Sequence, residues 1–163
     1  MKLDKNLALN FFRLKNIEAR HFPKKLAGGK KPDFMLFRKD VLFGYCELKS
    51  IMDYDFFGER RDSTYNKIQN KIHDASKQFT SSNADHTLPN ILFFINHSKK
   101  LNYGDLWLVL TGQAMPPNHN SDPIDIRYLR RLSIKGDLLN IDYIIWANLN
   151  EDKTCFVVCQ RSD

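Results

Sequence analysis

The sequence is poor in cysteine and lacks a long apolar run. Its three cysteines, Cys46, Cys155 and Cys159, form no CxxC pair, so reduced core cysteines are favoured over a disulfide framework or a zinc site. The longest apolar run covers residues 91–95, far short of the roughly 20 residues that cross a bilayer. The charged N-terminus has no apolar segment behind it, which argues against a standard secretion signal. A cytoplasmic protein with no membrane partner is expected.

Repeats, low-complexity tracts and flexible linkers are also missing. The chain has 7 glycines and 6 prolines among 163 residues, and 42% of it is hydrophobic. This length and composition fit one domain with a substantial core and leave no room for a large second one. A single domain over residues 1–163 is therefore predicted.

Acidic residues are too few to balance the basic ones, and the net charge is +6. Residues 1–31 contain nine lysines or arginines and two acidic residues, so this part of the chain holds the whole excess. A basic surface attracts polyanions, most simply nucleic acid. The alternative is a surface that only keeps the protein soluble.

Residues 32–49 predict a β-hairpin, because two apolar runs of strand length flank a charged turn at residues 38–41. With the turn centred on Asp40, opposed residues share a face. The predicted cross-strand pairs are Asp33–Glu47, Met35–Tyr45 and Phe37–Phe43. Lys49 lies two residues past Glu47 and points to the same side. Charges are rare in such strands unless they are paired or bind an ion, so this end of the hairpin suggests a metal site.

A first helix is predicted over residues 3–22, ended by Pro23. Its apolar stripe runs through Leu7, Phe11 and Leu14, and Glu18 continues that stripe toward the core. The alternative for Glu18 is a surface carboxylate paired with Arg13 or Lys15.

The rest of the chain predicts helices and strands in alternation. A second helix begins near Ser63, with Ile68, Ile72, Ala75 and Phe79 inside and Lys67, Lys71, Asp74 and Gln78 outside. Residues 90–96 predict a buried strand, residues 106–110 a strand or short helix, and residues 124–132 a short helix with Arg127, Arg130 and Arg131. Residues 139–146 and 154–159 predict a second hairpin. Residues 50–62 predict a loop that could reach a ligand.

The order of these elements, with Pro32-Asp33 and Glu47-Leu48-Lys49 on paired strands, resembles the PD-(D/E)xK nuclease superfamily. The resemblance covers about residues 3–97 and leaves residues 98–163 as a C-terminal extension carrying the second hairpin. It implies an α/β, restriction-endonuclease-like fold, a mixed central sheet flanked by helices. That family usually has a strand before the hairpin, for which this chain offers only residues 21–27.

The resemblance implies a metal-dependent endonuclease that hydrolyses phosphodiester bonds, most simply in DNA. Mg²⁺, or Mn²⁺ in its place, prefers oxygen ligands, which Asp33, Glu47 and the backbone carbonyl of Leu48 would supply. Glu18 would add a ligand from the first helix. Lys49 would orient a water or offset charge on the phosphate. By similarity to the family, Lys71 and Gln78 would contact the phosphate or the water.

Three alternatives remain open at this point. The first is a non-catalytic nucleic-acid-binding module on the same fold. The second is a metal-free interaction domain that docks a partner through Tyr54, Phe56 and Phe57. The third is a metal-free ion-pair network of Asp33, Glu47 and Lys49, although such networks are poor stabilisers. If the protein cuts both strands of a duplex, a homodimer is favoured over a monomeric nickase.

Overall fold

The computed structural model describes residues 2–23, 30–52, 63–114, 124–125, 134–149 and 155–160. The helices are α1 (Lys2–Leu14), α2 (Ser63–Ser82), α3 (Tyr103–Thr111) and α4 (Lys135–Leu138). The strands are β1 (Glu18–His21), β2 (Phe34–Arg38), β3 (Val41–Ile51), β4 (Asn90–Asn96), β5 (Gln113–Ala114), β6 (Ile124–Asp125), β7 (Tyr143–Asn148) and β8 (Cys155–Gln160). None of the helices in these ranges has the length and hydropathy of a membrane-spanning segment.

A six-stranded mixed sheet forms the centre of the α/β fold, in the order β1-β2-β3-β4-β7-β8. Strands β3, β4 and β7 are parallel to one another, and the remaining pairings are antiparallel. One face packs against α2 and α3, and the other packs against α1. The predicted α/β class with a mixed sheet flanked by helices is confirmed at this level.

The hairpin of β2 and β3 follows the predicted register at its open end. Phe34 pairs with Cys46 and Met35 with Tyr45, as expected. A register shift between Leu36 and Phe37 then places Phe37 opposite Leu42, so the predicted pair with Phe43 is wrong. The turn residues Lys39 and Asp40 have φ values of 49° and 61°. Such left-handed turns match the twist of the two strands, and the bulge absorbs the resulting offset.

Helix α1 is shorter than the predicted helix over residues 3–22. Ala8 and Phe12 are fully buried, whereas Leu7 and Phe11 are partly buried and Leu14 is 79% exposed. The buried stripe is therefore shifted by one position from the predicted one. Asn16 has a φ of 56°, and the N–H of Ile17 donates to the carbonyl of Phe12. A left-handed residue after the last turn closes a helix in this way. The chain then forms β1, which begins at Glu18 and lies earlier than the expected segment 21–27.

The second helix and the buried strand are confirmed, but Gln78, which was predicted to lie on the outer face of that helix, is buried. Helix α2 begins at Ser63, and its four predicted inward residues are fully buried: Ile68, Ile72, Ala75 and Phe79. Every residue of β4 is buried, as expected for a strand inside a sheet with both faces covered.

The C-terminal part differs more from the sequence prediction. Residues 106–110 lie in helix α3, so the helical alternative is correct. Ile124 and Asp125 form the short strand β6 rather than the start of a helix, and residues 126–133 lie outside the described residues. Strands β7 and β8 form the predicted second hairpin, but β7 pairs with β4. This hairpin therefore completes the central sheet instead of extending from it.

Candidate active site

The open end of the first hairpin brings two carboxylates together. The backbone N–H of Asp33 donates to Glu47 Oε2 over 3.0 Å, and the N–H of Leu48 donates to Asp33 Oδ2 over 3.2 Å. Each carboxylate is thus fixed by the backbone of the opposite strand. The side chain of Glu47 is 5% exposed and that of Asp33 is 24% exposed. The structure therefore places these two predicted residues side by side at the open end of the first hairpin.

Lys49 and Gln78 adjoin the two carboxylates. Lys49 Nζ donates to Glu47 Oε1 over 2.8 Å and to Gln78 Oε1 over 2.9 Å. Gln78 Nε2 donates to the carbonyl of Lys31 over 3.0 Å, so this buried amide connects α2 to the chain just before Asp33. We refer to Asp33, Glu47, Lys49 and Gln78 as the Asp33–Glu47 site.

Burial and ion pairing shift the pKa of Glu47 in opposite directions. Desolvation raises the pKa of this carboxyl, and the Asp33 charge adds to that rise, while Lys49 lowers the pKa. The net shift is upward because Glu47 is almost enclosed. Two carboxylates held close together at such a cost are typical of functional sites.

Lys71 lies near the same site on α2. Burial lowers the pKa of its ammonium, and the charge of Lys49 lowers it further. Lys71 and Gln78 are seven positions apart on one helix, which places them on the same face two turns apart. The structure therefore brings both predicted α2 residues toward Lys49.

Glu18 is the predicted residue that the structure does not bring to the site. It lies on β1 rather than on the first helix, and its side chain is 58% exposed. Arg20 donates to both of its oxygens over 2.7 and 2.6 Å and lowers its pKa. Arg20 also pairs with Asp40 in the hairpin turn over 2.7 Å. Glu18 thus lies at the turn end of the hairpin, opposite to the open end, and its expected metal role is wrong on this geometry.

Sequence reasoning missed two residues of α1 that contact this region. Lys5 Nζ lies 2.9 Å from Asp33 Oδ1. Asp4 is buried, accepts a hydrogen bond from Ser50 Oγ, and lies 3.0 Å from His97 Nε2. A lysine and an aspartate at a helix start carry no local signal for these contacts. They depend on how the helix is placed against the sheet.

The donor set of the site fits a hard divalent cation. Among the described residues, no group of three His, Cys, Asp or Glu side chains is placed to hold a metal, and the carboxylates available to a cation at this site are the two of Asp33 and Glu47. The N–H and C=O groups of one strand residue point to the same side of the strand. Because the N–H of Leu48 points to Asp33, its carbonyl also faces the side of β3 on which Asp33 lies. Each carboxylate oxygen has a second lone pair beyond its present partner. Mg²⁺ keeps several waters and needs few protein ligands.

Several residues singled out in the sequence lie outside the described residues. These are the aromatic side chains Tyr54, Phe56 and Phe57 and the arginines Arg127, Arg130 and Arg131.

Comparison of the chain with protein-family models, with curated proteins and with solved structures finds no match. What indicates a function is therefore the geometry of the Asp33–Glu47 site. The site lies in the carboxyl-terminal half of β3, where this strand runs parallel to β4. In open α/β sheets, ligands commonly bind outside the carboxyl ends of the strands.

Proposed function

We propose that the protein is a Mg²⁺-dependent endonuclease of the PD-(D/E)xK type, with a restriction-endonuclease-like fold, that hydrolyses phosphodiester bonds in DNA. The observation that carries the proposal is the pair of carboxylates of Asp33 and Glu47, bonded across two strands, with Lys49 held beside them. Two carboxylates, a carbonyl and a lysine in one place are the groups that metal-assisted phosphodiester hydrolysis needs.

Asp33, Glu47 and the Leu48 carbonyl would hold the cation, which is Mg²⁺ or, in its place, Mn²⁺. When bound, the ion polarises a phosphate oxygen and lowers the pKa of a coordinated water. The backbone bonds from Leu48 and Asp33 fix one oxygen of each carboxylate. The two carboxylates therefore need little reorganisation when the cation binds, which favours catalysis by preorganised groups.

Lys49 would act on the substrate. Its ammonium is held by Glu47 and Gln78, so it stays beside the carboxylates without blocking both. From there it can orient the attacking water or offset negative charge that builds on the phosphate. Gln78 would position Lys49, and Lys71 would add positive charge for the phosphate group.

A metal-free ion-pair network explains the same residues less well. Buried ion pairs lose several kcal/mol per ion to desolvation and are often neutral for stability. A network selected for stability would also separate its two carboxylates, yet here the Asp33 charge raises the pKa of Glu47. A cation held by both carboxylates would offset that repulsion.

The substrate is proposed from charge. The chain carries +6 overall, with the excess in residues 1–31. Lys31 is fixed to the carbonyl of Ser81 over 3.0 Å, and Ser81 Oγ donates to the carbonyl of Lys30. These bonds hold the end of the basic segment next to Gln78, so phosphates bound there would lie close to the Asp33–Glu47 site.

The test is cleavage of supercoiled DNA, linear DNA, single-stranded DNA and RNA with Mg²⁺ or Mn²⁺. We expect Asp33→Asn and Glu47→Gln to lower the cleavage rate about 100-fold or more while DNA binding persists. Glu18→Gln is the matched control, because it removes the same charge at the far end of the hairpin. Its cleavage rate should stay within about twofold of the wild type.

Two results would distinguish the alternatives. Salt-dependent DNA binding by the pure wild type without cleavage of any substrate would favour the non-catalytic binding module. Equal loss of cleavage in Glu18→Gln and Glu47→Gln would contradict the placement of the site at the open end of the hairpin.

A further inference from the structure

Asp33 and Glu47 each form an ion pair with a different lysine. Lys49 pairs with Glu47, and Lys5 pairs with Asp33 from the other face of the sheet. The two lysines are held differently. Lys49 has a second partner in Gln78 and a side chain that is 16% exposed, whereas the side chain of Lys5 is 33% exposed.

The helix that carries Lys5 is firmly placed. Asp4 is fixed by Ser50 and His97, and Ala8 and Phe12 follow it at intervals of four on the buried face of α1. Among the described residues, Lys5 has the ion pair with Asp33 and lies 6.0 Å from the centre of the Phe34 ring. A lysine has a flexible four-carbon stem, so its ammonium can leave Asp33 while the helix stays in place.

We propose that the Lys5 ammonium occupies the position beside Asp33 until a divalent cation displaces it. This inference rests on the proposed function. In the metal-free protein the Lys5 ammonium neutralises Asp33 and holds Oδ1, the oxygen that the backbone of Leu48 leaves free. A cation that binds Asp33 must compete with this ammonium, because two positive charges at one carboxylate repel each other. Lys5 therefore weakens metal binding and reduces the repulsion between the two carboxylates when no metal is bound.

The test measures Mn²⁺ binding to the full chain without DNA, by the electron paramagnetic resonance signal of free Mn²⁺. Lys5→Met removes the charge and keeps most of the length of the side chain. We expect this variant to bind Mn²⁺ about two- to fivefold more tightly than the wild type, the range set by one partly exposed ion pair. Lys5→Arg retains the competing charge and should bind Mn²⁺ no more tightly than the wild type.

Lys15→Met is the matched control, because it removes the same charge just after the end of α1. Its Mn²⁺ affinity should equal that of the wild type within about twofold. Circular dichroism of each variant shows whether it is folded, and Lys5→Arg provides the comparison if Lys5→Met is destabilised.

The outcomes separate this inference from the proposed function. Equal or weaker Mn²⁺ binding by Lys5→Met, with binding abolished in Asp33→Asn, would overturn the role of Lys5 and leave the metal site in place. If wild type, Lys5→Met and Lys5→Arg all fail to bind Mn²⁺, the proposed metal-dependent function itself is wrong.

Discussion

Glu47 combines near-complete burial with an ion pair, and burial decides its pKa. Because the folded pKa is raised, the folded protein keeps this proton at pH values where the unfolded chain has lost it. The contribution of Glu47 to stability therefore falls as pH rises from the ordinary carboxyl range through the raised pKa. Metal binding needs the ionised form, so it must expel that proton at low pH.

This coupling predicts a pH dependence of metal affinity. Below the raised pKa of Glu47, the logarithm of the Mn²⁺ association constant should increase by up to about one for each pH unit. Above it, the affinity should level off. Mn²⁺ titrations between pH 4 and 8 at constant ionic strength measure this curve. An inflection at or below the pKa of an ordinary glutamate would contradict the upward shift.

The pKa of Lys71 is shifted in the opposite direction, which predicts an effect at alkaline pH. Burial lowers its pKa, so the folded protein loses this proton more readily than the unfolded chain, and the contribution of Lys71 to stability falls as pH drops through the window between the two pKa values. A phosphate contact needs the charged form. We expect metal-free DNA binding to weaken as pH rises through the lowered pKa.

Lys71→Arg tests this, because arginine stays charged throughout that range. The variant should retain DNA affinity at alkaline pH, where the wild type loses it, as measured by fluorescence anisotropy of labelled DNA. Lys77→Arg, at an exposed position of the same helix, should follow the wild type. Parallel loss of affinity in all three proteins would exclude Lys71 from phosphate binding.

The sequence predicted the residues of the site where local geometry fixes them. Asp33, Glu47 and Lys49 belong to one hairpin, so a turn position and a period of two were enough to place them together. Glu18 was misplaced because a helical stripe was extended past Leu14, where Asn16 turns the chain out of the helix. Lys5 was missed because its distance from Asp33 depends on the packing of α1 against the sheet.

At the scale of elements, β3 approaches the loop before β4 closely at Gly44. A Cβ atom on Gly44 would lie 2.8 Å from the carbonyl oxygen of Pro89, and the next N–H, of Tyr45, donates to that same oxygen over 2.9 Å. Both groups belong to the backbone, so the clash cannot be relieved by a rotamer change. The glycine allows the two chain segments to meet where the parallel pairing of β3 and β4 begins.

Gly44→Ala should therefore destabilise the protein by about 1–3 kcal/mol, the usual cost of overpacking. Gly136→Ala is the control, because nothing lies within 4 Å of its added Cβ and it is helical in α4. That change should be neutral or stabilising by up to about 1 kcal/mol. Urea unfolding of both variants measures the difference. Equal stability of the two variants would show that the backbone near Pro89 yields without cost.

Elements were predictable where their structure depends on residues within the same segment, and less so where it depends on contacts with other segments. Helix α2 has four inward residues at helical spacing, and tertiary packing agrees with that pattern. The bulge between Leu36 and Phe37 was not predictable, because it depends on the twist imposed by the turn at Lys39 and Asp40. A residue count from an assumed turn centre cannot detect such an offset.

At the scale of the whole molecule, the central sheet joins parts of the chain that are far apart in sequence. Phe93 pairs with Ile145 and Leu48 with Phe93, so β4 connects the first hairpin to the second. The sequence predicted strands over residues 139–146 and 154–159, but not that β4 pairs with the first of them, because an apolar strand presents the same pattern to any neighbour.

The two edges of this sheet differ in how they are protected. Strand β1 has four residues and carries Glu18 and Arg20, which are both exposed in part. Strand β8 has six residues without charge, proline or glycine, and pairs with β7 alone among the described strands. Phe156 and Val158 lie on one face of β8 and are 39% and 55% exposed. Charges on an edge discourage pairing with another chain, and β8 lacks them.

We therefore expect a weak homodimer through antiparallel pairing of β8 with its copy. Two copies with a net charge of +6 repel each other, and an uncharged strand is where they can meet at least electrostatic cost. Pairing of six residues buries less than the roughly 1,000 Å² of a stable interface, so association should be concentration-dependent. Sedimentation velocity at rising concentration measures this association.

Val158→Lys should abolish the dimer, whereas Val41→Lys, at a position 66% exposed beside the hairpin turn, should retain it. Monomeric wild type at all concentrations, or equal effects of the two lysines, would show that β8 is not the contact.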